Sequence, residues 1–474
     1  MEKIKNKIKK FMASKEQNKD DQPQNNQPQN DQPQNNQNKK ITEQIKPLKF
    51  LFVSLESLSG DLAWQLKKEG HEVKCYIKDK NDTDVYNGFV EKVDNWKKWI
   101  DWSDVVVFDD VEFGKTAEKL RAKGKPVIGG SIYTDELEMN REFGQMEMKK
   151  HGINILPHYN FSKYDEAIDF IKNNPGRYVF KPSGNIPSAG KGLLFLGGEE
   201  DGKDILELLT QNKDVWTKKA PTFQLQKFVS GVEMAVGAFF NGEEFIRPIN
   251  VNFEHKRLFP GDLGPFTGEM GTLCFWAQNS PIFTATLEKM KPSLIKSGYR
   301  GYIDLNCIVN SRGIYPLEFT SRFGYPTLQI QLEGILNPAG EWLSKLAFGK
   351  NFELKTKKGF QLGARIMVPS YFAGHIPNDP RITMYRDLPI LFKKPNLEGI
   401  HLEDIKIVDD VWRIAGESGC LLVVTGSGNT VEEARHQVYL RIKNIMVQNM
   451  FYRVDIGAKW LEDSDRLQTW GYLY

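Results

Sequence analysis

The sequence of 474 residues has few cysteines, almost no net charge and no long apolar run. Its four cysteines, Cys75, Cys274, Cys307 and Cys420, are far apart, and no two have the spacing of metal ligands. They favour a reducing compartment in which thiols serve as small core residues, so a disulfide-stapled scaffold is excluded. The formal net charge of +3 gives no indication of nucleic-acid binding.

Segments that would direct the chain into a membrane or out of the cell are also missing. No run approaches the roughly 18 apolar residues of a membrane-spanning helix, and no apolar signal-peptide core follows the first lysines. We therefore expect a cytoplasmic protein without a membrane span. The GxxxxGK[ST] phosphate loop is absent as well, so a Walker-type nucleotide site is not expected.

Residues 1–46 differ in composition from the rest of the chain. Ile4, Ile8 and Phe11 stand at helical spacing among lysines, and residues 21–37 repeat the pattern DQPQN–NQPQN. Gln, Asn and Pro cannot bury enough apolar surface to offset chain entropy, so we predict a disordered basic tail. It is either a solvated tail without a catalytic role or a tether that contacts a partner.

The folded part is predicted to have an α/β beginning and α+β continuations. In residues 47–135 the strand-like runs KFLFVSL, HEVKCYI, WSDVVVFDD and KPVIGG alternate with the helical runs DLAWQLKKEG and KTAEKLRAKG. This order predicts a doubly wound parallel sheet. Residues 136–345 begin with the helical run ELEMNREFGQMEMKKHG and continue in strands, and residues 346–474 indicate a third domain that contains the helical run VEEARHQVYLRIKNIMVQ.

Two lysines and one strand suggest a nucleotide site. Lys181 ends the strand-like run RYVFKPS, and Lys191 lies in the glycine-containing segment SGNIPSAGKG. Such lysines can hold phosphate oxygens, although incidental lysines on a solvent loop explain this segment equally well. In FQLQKFVSGVE the backbone at Gln226, Lys227 and Phe228 could contact an adenine edge, and Glu233 could accept from ribose hydroxyls or be an ordinary surface acid.

Two acids on apolar strands suggest a cation site. Asp304 in GYIDLNCIVN and Glu318 in IYPLEFT flank the turn NSRG, so a hairpin would bring them near each other. Hard oxygen ligands beside phosphates suit Mg²⁺, and the alternative is a pair of carboxylates satisfied by arginines.

A basic triplet follows the nucleotide strand. His255, Lys256 and Arg257 precede the flexible GDLGPFTGEMG, and together with Arg322 they could gather anionic groups and stabilise a transferring phosphoryl group. At the first strand-to-helix turn, Ser59–Gly60 could offer N–H groups to an anion or simply make the turn.

Taken together, these motifs resemble the ATP-grasp superfamily, and within it the phosphoribosylamine–glycine ligase family, from about residue 49 to residue 461. HKRLFPGDLGPFTGEMG is similar to that family's HKR…GDxGPNTGGMG, and LEFTSRFGYPTLQ is similar to its LEFNxRFGDPExQ. GCLLVVTGSGNTVEEAR and FYRVDIG resemble its VTGxGxTxxEA and FYRxDIG segments.

The resemblance implies a substrate domain, a lid, an ATP-grasp core and a C-terminal domain. It implies a ligase that uses ATP with Mg²⁺ or Mn²⁺ to activate the carboxylate of glycine as an acyl phosphate, which the amine of phosphoribosylamine captures in purine biosynthesis. Phosphates would be bound by Lys181 and Lys191, adenine by the strand Gln226, Lys227, Phe228 and Val229, and ribose by Glu233. The metal would be bound by Glu318 and Thr320, with Asp304 added from the wider superfamily pattern.

The remaining assignments concern catalysis and the second substrate. Catalytic roles fall to Lys191 and Arg322, and substrate contacts to Ser59, Gly60, Lys256, Arg257, Thr267, Gly268 and Tyr325. Several positions depart from the family pattern: SLSGDLAW replaces a GGREHAL-like turn, Tyr325 and Thr327 replace the acids of RFGDPE, Thr320 replaces an Asn, and Phe266 and Glu269 alter GPNTGGMG. A different amine acceptor and a non-catalytic nucleotide-binding homologue therefore remain as alternatives.

Overall fold

The computed structural model describes residues 46–183, 193–369 and 384–473. Lys46–Tyr474 form one compact unit. The predicted tail, apart from Lys46, and the predicted phosphate ligand Lys191 lie outside the described residues. No helix in the described ranges has both the length and the apolar character needed to cross a membrane.

The first sheet has five parallel strands in the order β3–β2–β1–β4–β5, which confirms the α/β prediction. Its central strands are buried because Phe50, Leu51, Phe52 and Val53 of β1 are all at most 1% exposed. Helices cover the sheet, and helical turns link its strands. The bounds are β1 Lys49–Ser54, α1 Gly60–Lys68, β2 Glu72–Ile77, β3 Glu91–Lys92, a 3₁₀ turn Trp96–Trp99, β4 Val105–Phe108, α2 Gly114–Ala122 and β5 Val127–Ile128.

Two short helices follow where the sequence predicts one. They are α3 Ile132–Met139 and α4 Arg141–Lys150. The helix breaks at Asn140, which has the extended backbone angles φ −110° and ψ 94°, and whose side chain accepts a hydrogen bond from Phe143 N–H. Asn is a strong N-cap residue, so a new helix begins here and the predicted single helix is wrong.

A four-stranded antiparallel sheet in the order β6–β9–β7–β8 comes next. Two helices pack on it, and together they bury their own apolar core, which contains Ile168, Tyr178, Phe180, Ile205 and Phe223. The bounds are β6 His158–Phe161, α5 Tyr164–Asn173, β7 Tyr178–Pro182, β8 Phe195–Leu196, α6 Lys203–Lys219 and β9 Phe223–Lys227.

The largest sheet has eight antiparallel strands in the order β16–β15–β10–β11–β14–β17–β22–β19. It crosses the boundary predicted at residue 345, because β17 pairs with β14. Its strands are β10 Val232–Phe240, β11 Ile249–Glu254, β14 Gly271–Ala277, β15 Gly301–Asn310, β16 Gly313–Thr320, β17 Phe360–Met367, β19 Ile400–Leu402 and β22 Cys420–Gly428. The predicted domain limits stay predictions.

Short strand pairs and helices surround this sheet. The predicted long helix after residue 430 is shorter than expected: it ends at Ile442, and Ile445–Met446 form a strand. The remaining strands are β12 Arg257–Phe259, β13 Leu263–Phe266, β18 Leu391–Phe392, β20 Ile405–Val408, β21 Val411–Ile414 and β23 Ile445–Met446. The helices are α7 Pro281–Ala285, α8 Lys291–Ser297, α9 Thr327–Gly334, α10 Ala339–Ala347, α11 Val431–Ile442 and α12 Trp460–Thr469, with 3₁₀ turns at Pro260–Asp262 and Leu287–Met290.

One carboxylate joins the first sheet to the helices of the central region. Glu69, directly after α1, accepts hydrogen bonds from the backbone N–H groups of Ala339 and Gly340, each at 2.9 Å. The first N–H groups of a helix have no partner within that helix, so Glu69 satisfies the start of α10 and complements its dipole.

We expect Glu69→Ala to lower the free energy of unfolding by about 2 kcal/mol, because two partly buried donors lose their acceptor. The midpoint of thermal unfolding measures this. Glu72→Ala, at an exposed position on β2, is the control and should leave the midpoint nearly unchanged. Equal midpoints for the two variants would contradict the capping role.

Candidate active site

The ammonium group of Lys256 lies among three carboxylates. Its Nζ is 3.1 Å from Glu233 Oε1, 3.4 Å from Glu254 Oε2 and 3.5 Å from Glu318 Oε1. The acids come from β10, β11 and β16, strands of one sheet, and Lys256 lies two residues after β11. Burial acts to lower the pKa of Lys256, but the three carboxylates outweigh it and hold that pKa well above its usual range. Lys256 is in turn the main reason why the pKa of Glu318 falls to about 2.

Two further cationic side chains approach Glu318 from other elements. Lys181 on β7 is only 9% exposed, and Arg141 on α4 has its Nη1 3.7 Å from Glu318 Oε2. Burial and the charges of Arg141 and Lys256 together lower the pKa of Lys181 to about 7, while Glu318 opposes them. Arg141 and Glu318 also line a small cleft that is open to solvent. The sequence analysis missed Arg141 because it was placed inside a continuous helix.

The predicted hairpin that carries Asp304 and Glu318 is present, and its register shows which residues stand directly opposite them. Asn306 stands opposite Glu318, and Asp304 stands opposite Thr320. Asn306 Nδ2 donates to Glu254 Oε2 at 3.1 Å, so this residue, which the sequence analysis did not name, joins the carboxylate group. Asp304 is 2% exposed, and burial followed by the charge of Glu254 raises its pKa well above the usual range.

The hairpin offers oxygen atoms that fit a hard cation. Asn306 Oδ1 and Asp304 Oδ1 are buried and have no hydrogen-bond partner within the described part of the chain. Among those residues no group of three or more His, Cys, Asp or Glu side chains is arranged to hold a metal ion. Glu318 and Asn306 therefore fit a cation such as Mg²⁺ that takes most of its ligands from phosphate oxygens and water. Asp304 and Thr320 lie two residue pairs further along the hairpin.

The strand predicted to contact adenine has fewer free donors than expected. Lys227 N–H donates to Pro157 O, and Phe228 N–H donates to Arg177 O. Gln226 lies in β9, between two neighbouring strands. Within the described residues, Val229 N–H has no hydrogen-bond partner. The backbone N–H groups of Lys227 and Phe228 are thus occupied, and Val229 keeps a donor for a ligand.

Arg322, two residues after β16, is held by two acids. Its Nε is 3.1 Å from Glu138 Oε1 on α3 and 3.6 Å from Asp110 Oδ1. Glu138 also accepts a hydrogen bond from Ser321 N–H at 2.6 Å. Because these acids come from earlier parts of the chain, Arg322 is fixed where the first sheet meets the end of β16.

Ser59, Gly60 and Tyr325 are held by groups of the protein itself. Asp109, after β4, accepts from Ser59 N–H at 3.1 Å and from Ser59 Oγ at 2.7 Å. A Cβ on Gly60 would lie 2.0 Å from the ring of Tyr86, so this glycine allows close packing. Tyr325 follows Gly324, precedes a cis peptide bond to Pro326, and donates its hydroxyl to Asp109 O at 3.3 Å. The N–H and hydroxyl groups of Ser59, where the sequence allows an anion-binding turn, thus donate to the carboxyl group of Asp109.

The basic triplet does not form one anion-binding patch. His255 is buried and accepts a hydrogen bond from Gly457 N–H, and burial together with Arg453 lowers its pKa to about 4, so it is neutral. The guanidinium of Arg257 lies 3.6 Å from the ring centroid of Phe266 and donates to Gly264 O. Within the triplet, His255 thus binds Gly457, Lys256 binds carboxylates and Arg257 packs on Phe266.

The loop after the triplet is anchored at one residue. Thr267 donates its N–H and its hydroxyl to Lys256 O, at 2.7 and 2.8 Å. The next residue, Gly268, has open space where a side chain would stand. The roles predicted for Arg257, Thr267 and Gly268 in substrate binding stay predictions.

Comparison with known proteins agrees with this arrangement. Residues 139–328 match the family model for the phosphoribosylglycinamide synthetase ATP-grasp (A) domain, and this range contains Arg141, Lys181, Lys256 and Glu318. Residues 139–328 thus have the sequence of an ATP-grasp domain of this family. The chain is 27% identical over 361 residues to phosphoribosylamine–glycine ligase of Streptococcus pneumoniae, an alignment that covers 74% of this chain and 82% of that protein. The corresponding protein of Listeria monocytogenes is 25% identical and covers 72% of this chain and 80% of that protein.

Solved structures show the same fold for this ATP-grasp protein. Phosphoribosylamine–glycine ligase from Thermotoga maritima superposes with a TM-score of 0.65 at 20% identity, over 86% of this chain and all of that one. Biotin carboxylase from Campylobacter jejuni gives a TM-score of 0.59 at 12% identity, over 89% of this chain and 97% of that one. At these identities the likeness shows the fold, with its parallel first sheet and antiparallel ATP-grasp sheets.

We expect Lys256→Met to destabilise the protein most at neutral pH. Without the ammonium, three carboxylates repel one another. Because they are partly exposed, we expect the free energy of unfolding to fall by only about 2 kcal/mol. In the unchanged protein Glu318, with a folded pKa of about 2, contributes stability above its unfolded pKa, and this is lost only as the pH falls through about 2. In the variant the carboxylates take up protons more readily. The difference in melting temperature between the variant and the unchanged protein should therefore become smaller as the pH falls from 7.5 to 5.

Lys163→Met is the matched control, because Lys163 pairs with Glu166 and their side chains are 72% and 57% exposed. Its melting temperature should match that of the unchanged protein at both pH values. A Lys256→Met variant that behaves like this control would contradict a stabilising role for the ammonium.

Proposed function

We propose that this ATP-grasp ligase is an ATP-dependent carboxylate–amine ligase that forms an amide through an acyl phosphate, as in the phosphoribosylamine–glycine ligase reaction of purine biosynthesis. The observation that carries the proposal is the group of cations around Glu318. Arg141, Lys181 and Lys256 come from a helix, the four-stranded sheet and the eight-stranded sheet, and they meet at one acid. Cations gathered from separate elements suit a polyanionic ligand such as a triphosphate.

In this proposal ATP lies between the two sheets. Lys181 and Arg141 would hold phosphate oxygens, with Lys191 as a further predicted phosphate ligand. Val229 N–H supports an adenine contact, because this donor just after β9 has no hydrogen-bond partner among the residues that the structure describes. Glu233 supports a ribose contact, since its side chain is 44% exposed and can accept from two hydroxyls.

Mg²⁺, when bound, would neutralise phosphate charge and make the γ-phosphoryl group easier to attack. Glu318 and Asn306 would hold it, and Asn306 Oδ1, which is buried without a hydrogen-bond partner in the described ranges, supports this choice. Asp304 and Thr320 remain predicted ligands.

The chain's own residues would bind and orient the reactants. A substrate carboxylate oxygen attacks the γ-phosphorus, the bond to ADP breaks, and the acyl phosphate forms. The amine nitrogen then attacks the acyl carbon, phosphate leaves with the carbon–oxygen bond pair, and the nitrogen loses a proton. Lys181 and Arg141 would stabilise charge on the transferring phosphoryl group, and Arg322 would orient the carboxylate from the opposite side of the cleft.

A second candidate keeps this chemistry but uses another amine acceptor. It is favoured by the contacts at Asp109, where Ser59 and Tyr325 both bind. These two residues replace members of the family's GGREHAL-like and RFGDPE patterns, so the acceptor side has a different lining. The nucleotide side keeps Lys181, Glu233 and Glu318.

Phosphate release tests the proposal. The protein is incubated with ATP and Mg²⁺, first with glycine and phosphoribosylamine, then with a panel of amino acids paired with amines. We expect release that requires both a carboxylate and an amine. Release only with the first pair supports the family reaction, release with another pair supports the second candidate, and nucleotide binding without release under any condition contradicts both.

Lys181→Ala should reduce this release by about 100-fold, because the transferring phosphoryl group loses a buried cation. Lys163→Ala is the control, since Lys163 is a surface residue whose side chain is 72% exposed. Full activity in Lys181→Ala would contradict the assignment of this lysine to the phosphates.

We also expect ATP binding to draw a proton from the buffer at pH 8. The pKa of Lys181 is about 7 without ligand, so the side chain is mostly neutral at pH 8, and phosphate oxygens would restore its charge. Calorimetric titrations in buffers of different ionisation enthalpy measure the uptake, expected to be close to one proton per ATP. Lys181→Arg should bind ATP without this proton uptake, because a guanidinium is already charged. Unchanged uptake in this variant would show that Lys181 is not the group that takes up the proton.

A further inference from the structure

The carboxyl ends of the parallel strands in the first sheet carry acids without matching cations. β1 and β4 are neighbours in this sheet, but the chain leaves β1 toward β2 on one side and later returns to β4 on the other. In parallel sheets, ligands bind in the crevice outside such a pair of strand ends. The loops after these two strands, residues 55–59 and 109–113, contain four acids and no lysine or arginine. This crevice is therefore acidic.

We propose that an acidic edge of the first sheet binds the second substrate as a cationic amine. This acidic edge consists of Glu56, Asp82, Asp109, Asp110 and Asp404. The substrate class is a small amine that carries at least one positive charge besides the nitrogen that reacts, such as a linear diamine. The inference rests on the ligase activity proposed above, and it selects the second candidate there, because phosphoribosylamine carries an anionic phosphate group.

Two buried polar atoms at the crevice lack a hydrogen-bond partner within the described ranges. They are Oδ1 of Asp109, a fully buried residue, and Oγ of Ser57, which is 3% exposed. Burial is the largest influence on Asp109 and raises its pKa to about 7, although hydrogen bonds from Ser59 lower it. An ammonium group only donates hydrogen bonds, so it suits oxygen atoms that accept none.

An anionic group would find its donors at this crevice already engaged. At the starts of α1 and α2, Ser59 N–H donates to Asp109 Oδ2 at 3.1 Å and Gly114 N–H donates to Asp135 Oδ2 at 2.8 Å. The guanidinium of Arg322 is likewise shared by two acids. A phosphate would have to displace carboxylates of the chain from these donors, whereas an ammonium would not.

The acidic edge continues from β4 past β1 to the end of β2. A Cβ at Gly416 would lie 2.7 Å from Asp404 Oδ2 and 3.0 Å from Asp82 Oδ1, so these two carboxyl groups are neighbours. Burial, followed by the charge of Asp404, raises the pKa of Asp82 to about 8, and Glu56 adds to this rise. Burial also raises the pKa of Asp110 to about 6, again with a part from Glu56. Because neighbouring strands lie about 4.8 Å apart, three strand ends span about 10 Å.

The spacing of these acids favours an organic cation over a metal ion. Among the residues that the structure describes, no three His, Cys, Asp or Glu side chains are grouped to hold a metal ion. The charges of a linear diamine are separated along its chain, so they can meet acids that are several ångströms apart. The reacting nitrogen must be uncharged to attack the acyl carbon, so the second ammonium would hold the substrate on the acidic edge during the reaction.

Calorimetric titration with butane-1,4-diamine measures binding without turnover. Glu56→Lys reverses one exposed charge of the acidic edge and should raise the Kd about 10-fold. Glu72→Lys is the matched control, because it makes the same change at an exposed position where β2 begins, at the other end of the sheet. It should leave the Kd within about two-fold, and both variants should melt like the unchanged protein.

A second probe, 4-aminobutanoate, has the same chain length with a carboxylate in place of one ammonium. We expect it to bind the unchanged protein at least about 10-fold more weakly than the diamine. Equal affinities for the two probes would overturn the proposal. So would equal effects of the Glu56 and Glu72 substitutions, or no binding of the diamine.

Phosphate release with ATP and each amino acid of the panel identifies the reacting amine. Butane-1,4-diamine should give a kcat/KM at least about 10-fold above that of 4-aminobutanoate, and Glu56→Lys should lower it mainly by raising KM. Release only with phosphoribosylamine overturns this inference and supports the first candidate. Release with no amine defeats the proposed function, whereas the titrations still decide whether the acidic edge binds a cationic amine.

Discussion

The ammonium of Lys256 is the interaction on which the cleft depends. Three acids from three strands of one sheet would repel one another without it, and its own pKa is raised because they surround it. The same charge contributes to the low pKa of Lys181 on the neighbouring sheet. The charge of Lys256 thus helps to lower the pKa values of Glu318 and Lys181, on both sides of the proposed nucleotide site. The backbone oxygen of Lys256 also anchors Thr267.

The two halves of the cleft are built on different principles. The proposed nucleotide half brings opposite charges together at close range, around Lys256 and Glu318. The other half is largely internally satisfied: Ser59 and Tyr325 bind Asp109, and Arg322 binds Glu138 and Asp110. A ligand on that side must compete with hydrogen bonds that the protein already makes. This difference agrees with the sequence, in which the departures from the family pattern are concentrated on the same side.

Local patterns predicted the first sheet, the hairpin and the place of Lys181, because strand periodicity and turn residues act over short distances. They did not predict Arg141, because the run of helix-forming residues hid the cap at Asn140. They placed Asp304 and Glu318 on neighbouring strands of a hairpin, which is present, but they did not single out Asn306 as the residue opposite Glu318, since a turn pattern alone does not fix register. The partners of Arg322 and Ser59 were also missed, because those contacts join segments tens to hundreds of residues apart.

The four-stranded sheet and its two helices have an apolar core of their own, so substitutions in that core affect this part of the protein first. Residues such as Phe180 and Phe223 pack with α5 and α6 instead of with the eight-stranded sheet. Lys181 therefore sits on a module whose interior can loosen while the remainder of the fold persists. Damage inside that module would displace Lys181 and leave most of the chain intact, so a variant that expresses well and melts normally can still lack the proposed nucleotide site.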